Sequence, residues 1–247
     1  MTAILQVQSL NKSFGGIKAT DDLNIEVEQG ELHAVIGPNG AGKTTMISQL
    51  SGAQKPDSGR ILFKGRNITG VAAHRRAHLG ITRSFQITSL VMDMSVLDNV
   101  ALALQANEGH SFHFIKPARK IAHLRDKGRA LLDRVGLAGK ADQKTVALSH
   151  GEHRRMEIAI ALATEAELML LDEPMAGLGT QESLEMVELL RGIKGKHSIL
   201  LIEHDMDAVF ALADRISVLV YGHIIATGSP DEIRSNEAVQ HAYLGEE

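Results

Sequence analysis

Near the start of the chain apolar and polar positions alternate, Leu5 and Val7 with Gln6 and Gln8, then Ile25 and Val27 with Glu26 and Glu28. A period of two predicts half-exposed strands, here the beginning of an antiparallel sheet. After a turn at Gln29-Gly30, ELHAVIG reads as a buried strand that runs straight into a glycine-rich loop, and KTTMISQLSG as a helix closed by Gly52. From about Val71 to Thr164 apolar residues recur at three and four, as in SVLDNVALALQ and ARKIAHLRDKGRALLDRVG, which predicts an inserted helical subdomain. Beyond it the short apolar runs LMLL at 168–171, SILLI at 198–202 and ISVLV at 216–220 are separated by ESLEMVELLRGI and MDAVFALAD. Alternation of that kind predicts a parallel sheet covered by helices. No internal repeat or low-complexity segment interrupts it.

The 247 residues suffice for one substantial core, and 44% apolar with 23% charged residues is ordinary for a globular chain. The absence of cysteine excludes disulfides, thiolate metal sites and thiol nucleophiles. A formal net charge of -4 gives no overall basic field, so a nucleic-acid partner is not expected. No apolar stretch approaches the roughly 20 residues that span a bilayer, and no basic residue precedes an apolar block at the N-terminus, so the chain is expected to be soluble and unexported. Residues 111–144 hold nine Lys or Arg against three Asp, which reads either as solvated helix faces or as a cluster facing anionic lipid headgroups.

The chemistry is concentrated in three places. Gly37-Pro38-Asn39-Gly40-Ala41-Gly42-Lys43-Thr44, followed by Thr45, fits G-x-x-x-x-G-K-[ST] between a predicted strand and a predicted helix. Glycines permit the tight path that aims backbone N–H groups inward, and the helix start adds its positive end. Lys43 reaches the outer phosphates of a nucleotide and the Thr44 hydroxyl suits magnesium.

The run ending at Leu171 delivers Asp172 and Glu173 to the C-terminal end of a strand, where an open α/β sheet has its crevice. Adjacent side chains there point differently, so Asp172 can serve a metal while Glu173 polarises water as general base. Without the glycine loop, the pair would read as a turn or a helix cap. Ser149-His150-Gly151-Glu152 fits the capping box S-x-x-E at the head of a helix with Met156, Ala159, Ile160 and Ala163 on one face. It is either a cap alone or a second anion site, which a chain already holding phosphates elsewhere needs only if another subunit's nucleotide reaches it.

The sequence LSHGE upstream of LMLLDEP resembles the signature motif and Walker B of ABC-type ATPases. The resemblance covers essentially the whole chain and implies an α/β fold: a P-loop NTPase (RecA-like) core with an N-terminal antiparallel β subdomain and an inserted α-helical subdomain. It implies a single domain over 1–247, with 1–86 and 165–247 forming core and β subdomain and 87–164 the helical part. In that family two subunits pack head to tail around ATP and Mg2+. Ser149, Gly151 and Glu152 would then face a partner's nucleotide, although LSGGQ is the usual form and His150 and Glu152 depart from it. Gln86, in TRSFQITSL, is similar to the Q-loop glutamine, a magnesium or water ligand near which membrane subunits are felt. His204, after SILLIEH, is similar to the switch histidine that holds the attacking water with Glu173. Phe14, in KSFGG, stands where an aromatic stacks on adenine; on composition alone it reads as a core residue. The D-loop, AGLGTQ, has Gly179 near the place of a frequent Asp.

The tail GHIIATGSPDEIRSNEAVQHAYLGEE, the segment FQITSLVMDMSVLDNVALA and AGLG are similar to ATPase subunits of branched-chain amino-acid importers. That implies a cytoplasmic ATPase, peripheral on the inner face of the plasma membrane. Its implied partners are a second, identical or paralogous ATPase subunit, transmembrane permease subunits and, indirectly, a solute-binding protein. A soluble ABC ATPase acting mechanically on a protein or nucleic-acid assembly is the competing class.

Overall fold

The computed structural model describes residues 2–83, 90–108 and 122–244. The first two strands, β1 (Ala3–Phe14) and β2 (Ile17–Glu28), pair antiparallel as the alternation predicts, and Leu5, Val7, Ile25 and Val27 are all buried on the same side. The chain then passes through β3 (Leu32–Ile36), α1 (Lys43–Ser51), β4 (Ser58–Phe63) and the short β5 (Arg66–Asn67). β4 pairs with β1, giving a sheet in the order β2-β1-β4-β5. Gly52 ends α1 in the left-handed conformation that glycine adopts without steric cost.

Next come α2 (Ala73–His78), β6 (Ile81–Arg83), α3 (Val96–Asn107), α4 (Ala122–Arg134) and α5 (His150–Ala163). One expectation is corrected here: β6 lies inside the stretch read as helical from Val71, yet it pairs with β7 (Leu168–Asp172) in the central sheet. Three residues are too short for a period of two to be visible. Then follow α6 (Thr180–Ile193), β8 (Ser198–Ile202), α7 (Met206–Leu212), β9 (Arg215–Val220), β10 (His223–Gly228), α8 (Pro230–Arg234) and α9 (Glu237–Leu244). The second sheet has the order β10-β9-β3-β8-β7-β6, with its five inner and edge strands from β9 to β6 parallel and β10 antiparallel to β9.

Both faces of that sheet are covered, which explains its near-continuous apolar runs. Ala34, Met169, Leu171, Ile199, Leu201, Ile216 and Val218 pack among residues of α3 to α7. Their neighbours Val35, Leu168, Leu170, Leu200, Ile202 and Leu219 face the other way, onto α1 and the antiparallel sheet. On α5, Met156, Ala159 and Ala163 are fully buried while Ile160 is partly so, close to the face expected of it.

Candidate functional site at the C-terminal strand ends

Register brings the glycine loop, Asp172, Glu173 and His204 together. Val35 of β3 is opposite Ile202 of β8, and Asp172 of β7 is opposite the same Ile202. The segments that leave these three adjacent strands therefore start level: Gly37 onward, Glu203-His204, and Glu173. Strands lie ~4.8 Å apart, so side chains from neighbouring ends can touch.

The glycine loop is held by close backbone approach. A Cβ on Gly42 would lie 2.0 Å from the carbonyl oxygen of Ala19, and Gly42 has φ 107. A Cβ on Gly37 would meet the carbonyl oxygen of Leu219 at the same distance. The turn after β9 closes over the loop, Gly222 N–H donating to the Ala41 carbonyl at 2.9 Å. Lys43, Thr44 and Thr45 form the first turn of α1, whose amides have no intrahelical acceptor. Lys43 is buried, and its ammonium donates to the Gly37 carbonyl at 2.5 Å and the Pro38 carbonyl at 3.0 Å. Burial pushes this ammonium's pKa down, and the carboxylates of Glu173 and Asp172 oppose that shift. The loop and the acidic pair thus share one electrostatic site. Thr44 is exposed.

Asp172 and Glu173 point differently, as expected at a strand end. Asp172 is 2% exposed and accepts from Arg83 Nη2 at 2.9 Å; Arg83 Nη1 also donates to Ser48 Oγ on α1. Glu173 adopts φ 50, a conformation that non-glycine residues take at some cost, and its N–H donates to the Ile202 carbonyl. That turn sends its side chain outward to His204, whose Nε2 lies 2.6 Å from Glu173 Oε1. Gln86 lies outside the described residues, as do its immediate neighbours.

Ser149 caps α5, its hydroxyl accepting from Glu152 N–H while Glu152 accepts from Ser149 N–H, so the expected capping box is present. Glu152 also pairs with Lys140. Gly151 packs against α6, where an added Cβ would lie 2.5 Å from Glu182 Oε1. His150 Nε2–H donates to the Ala176 carbonyl at 3.2 Å, which ties the cap to the turn following Glu173. None of these bonds, among the described residues, joins the cap to its own chain's glycine loop. Gly179, at the head of α6, donates its N–H to Glu182.

Phe14 is 50% exposed at the end of β1, with Lys12 Nζ 5.5 Å from its ring centroid, so the composition-based reading of a core residue does not hold. Two residues at the site escaped the sequence reading. Arg83 stands three residues before Gln86 and gave no periodic signal. Glu203 follows the apolar run SILLI directly, and a carboxylate in that position was the signal that could have found it.

A family model described as ABC transporter matches residues 20–176, which include the glycine loop, the capped helix start and both strand-end carboxylates. The chain belongs to the ABC transporter ATP-binding family. A second model, described as Branched-chain amino acid ATP-binding cassette transporter, matches residues 223–247. The chain is 39% identical over 250 residues to the high-affinity branched-chain amino acid transport ATP-binding protein LivG of Salmonella typhimurium, covering 98% of each. It is 34% identical over 248 residues to the lipopolysaccharide export system ATP-binding protein LptB of Acidithiobacillus ferridurans, covering 100% of this chain and 99% of that one. A crystal structure of an ATP-binding cassette of an ABC transporter in its ADP conformation superposes with a TM-score of 0.87 at 31% identity, each chain covered in full. This ABC protein is therefore a nucleotide-binding ATPase subunit of a transporter, grouping with LivG. Among its described residues no helix is long and apolar enough to cross a membrane.

Proposed function

We propose that the chain energises import of branched-chain amino acids or a related small polar solute through separate permease subunits. The observation that carries the reading of the site is the junction of Glu173 with His204 beside the Lys43 loop. ATP phosphates lie on the amides of Gly40 to Thr45 and on Lys43, and the adenine stacks on Phe14. Glu173 takes a proton from the attacking water, and His204 orients that water and the γ-phosphate.

The oxygen donors of Thr44 and Asp172 suit Mg2+, a hard cation that keeps most of its shell from water and substrate phosphates. Asp172 at a strand end, with Thr44 in the first turn of α1, is the carboxylate and hydroxyl such an ion requires; Gln86 is the third proposed ligand. When bound, Mg2+ neutralises charge that develops on the phosphates.

Ser149, Gly151 and Glu152 serve the nucleotide of a second subunit, their hydroxyl and N–H groups acting as donors preorganised by the capping box. That geometry requires a head-to-tail dimer, of this chain or with a related one. The permease docks beside β6, where a mainly apolar cleft of about 510 Å³ lies between α2, α3 and α5, with Leu90, Leu102 and Ile160 on its walls. A solute-binding protein acts on the permease from the other side, and the ATPase stays peripheral on the cytoplasmic face. The identity to LivG and the C-terminal match over 223–247 favour import of amino acids over the export performed by LptB.

The deciding experiment is the solution mass of Glu173→Gln with and without ATP-Mg2+, repeated with Ser149→Arg added. A dimer that needs both ATP and Ser149 supports the reading in trans; a monomer in the presence of co-expressed permease subunits as well would sink it. Import is tested by uptake of radiolabelled leucine in vesicles carrying those subunits, and export of solute instead would reverse the direction.

A further inference from the structure

Glu203 is a buried carboxylate beside the site to which the reaction above gives no part. It is 3% exposed, and no cation among the described residues pairs with it. Such a burial is costly unless hydrogen bonds replace the lost water. Here three backbone amides replace it: Met175 N–H donates to Oε1 at 2.8 Å, His204 N–H to Oε2 at 2.9 Å, and Asp205 N–H to Oε2 at 3.5 Å. Burial pushes the carboxyl's pKa up, these amides push it down, and nearby Glu173 adds to the upward shift.

The bonds cross between two segments. Met175 belongs to the turn after Glu173, while His204 and Asp205 begin the segment after β8, with Asp205 capping α7. Each Glu203 oxygen therefore holds one of the two turns whose side chains meet at Glu173 and His204. Apart from the backbone bond from Glu173 N–H to Ile202, it is the described link between those turns nearest to the pair.

We propose that Glu203 is a positioning residue for ATP hydrolysis, stapling the turn of Glu173 to the turn of His204 and so fixing the hydrogen bond between their side chains. This rests on the roles given to Glu173 and His204 above. A glutamine keeps the shape but has one acceptor oxygen, so it can serve one turn and must aim an NH2 donor at the amides of the other. Misplacing a base by about 1 Å costs up to ~10²-fold in rate while leaving phosphate contacts intact.

The test compares purified full-length parent, Glu203→Gln, His204→Ala and the double variant in steady-state ATP hydrolysis, with ATP-Mg2+ affinity measured separately by calorimetry. The expected result is a kcat reduced roughly tenfold to a hundredfold in Glu203→Gln, KM and ATP affinity within about twofold of the parent, and a double variant no slower than His204→Ala alone. Unchanged kcat, additive losses, or ATP affinity and thermal stability falling together with kcat would each overturn the staple. Glu173→Gln assayed in parallel separates the two levels: if that variant turns over normally, the reading of the site fails rather than the staple alone. Should Glu203→Gln not fold, amide hydrogen exchange on the parent decides, because a Met175 amide exchanging as fast as an exposed loop amide means the carboxylate does not hold it.

Discussion

Glu173 Oε1 and His204 Nε2 lie 2.6 Å apart, although 31 positions separate the two residues and each leaves a different strand. The pair matches the geometry of a base and its orienter. Glu173→Gln is expected to bind ATP with parental affinity and to hydrolyse it ~10²–10⁴-fold more slowly. His204→Ala is expected to lose ~10²-fold with affinity retained. Single-turnover phosphate release beside nucleotide titration checks both, and parental turnover in Glu173→Gln rejects the base.

Lys43 is the cation of the glycine loop, buried and within the field of Asp172 and Glu173. Lys43→Ala removes that cation and leaves the two carboxylates facing the phosphates without it. ATP affinity is expected to fall at least ~10-fold, on the scale of ~1.4 kcal/mol for each tenfold change. A fluorescent nucleotide titration reads this directly, and full activity would dissociate the loop from nucleotide binding.

Arg76 is 1% exposed and donates to five backbone carbonyls, those of Gln49, Leu50, Ile68, Thr69 and Val71. Two of them end α1, so Arg76 caps the helix whose other end meets the nucleotide. Arg76→Ala removes all five bonds, leaving the Gln49 and Ile68 carbonyls only their backbone donors from Gly52 and Val71, and is expected to cost at least ~3 kcal/mol in urea denaturation. Arg76→Lys recovers less than half of that, because an ammonium has three donors and no fork. A loss below about 1 kcal/mol would mean that water replaces the guanidinium.

Burial raises the Glu31 carboxyl, but the His33 ring at 3.6 Å, the Glu28 amide at 2.6 Å and the Arg215 guanidinium at 2.8 Å outweigh it and hold the pKa at about 2 against an ordinary 4.5. A carboxyl depressed in the folded state stabilises the fold above the unfolded value, and that contribution disappears as pH falls from 4.5 towards about 2. Glu31→Gln is expected to lower stability at pH 7 by roughly 2 kcal/mol and to make the acid loss below pH 4.5 shallower. Denaturation midpoints across that range test it; parallel acid limbs in parent and variant would remove Glu31 from the account.

Local pattern carried much of the fold. Alternation marked β1 and β2, apolar runs marked β3, β7, β8 and β9, and spacings of three and four marked α3 and α5, because burial on one face or two leaves a periodic trace. Motif spacing likewise marked Lys43, Asp172, Glu173 and Ser149 from their residue types and flanking elements, whereas His204 stood out only through the family resemblance. β6 left no such trace, and neither did Arg83, Arg76 or Glu203, since a polar side chain is defined by partners that are distant in sequence.

The sequence by itself determined the strongly patterned elements, β1 to β3, β7 to β9, α3 and α5, together with the glycine loop, the two strand-end carboxylates and the capping box, all of which depend on residues a few positions apart. Only the tertiary structure decided that Asp172 meets Arg83, that Phe14 is half exposed, that His150 reaches Ala176 and that Glu203 joins two turns. The physical reason is strand register: Val35, Ile202 and Asp172 are level because three strands pair in one alignment, and a shift of one residue would turn those side chains to the opposite faces.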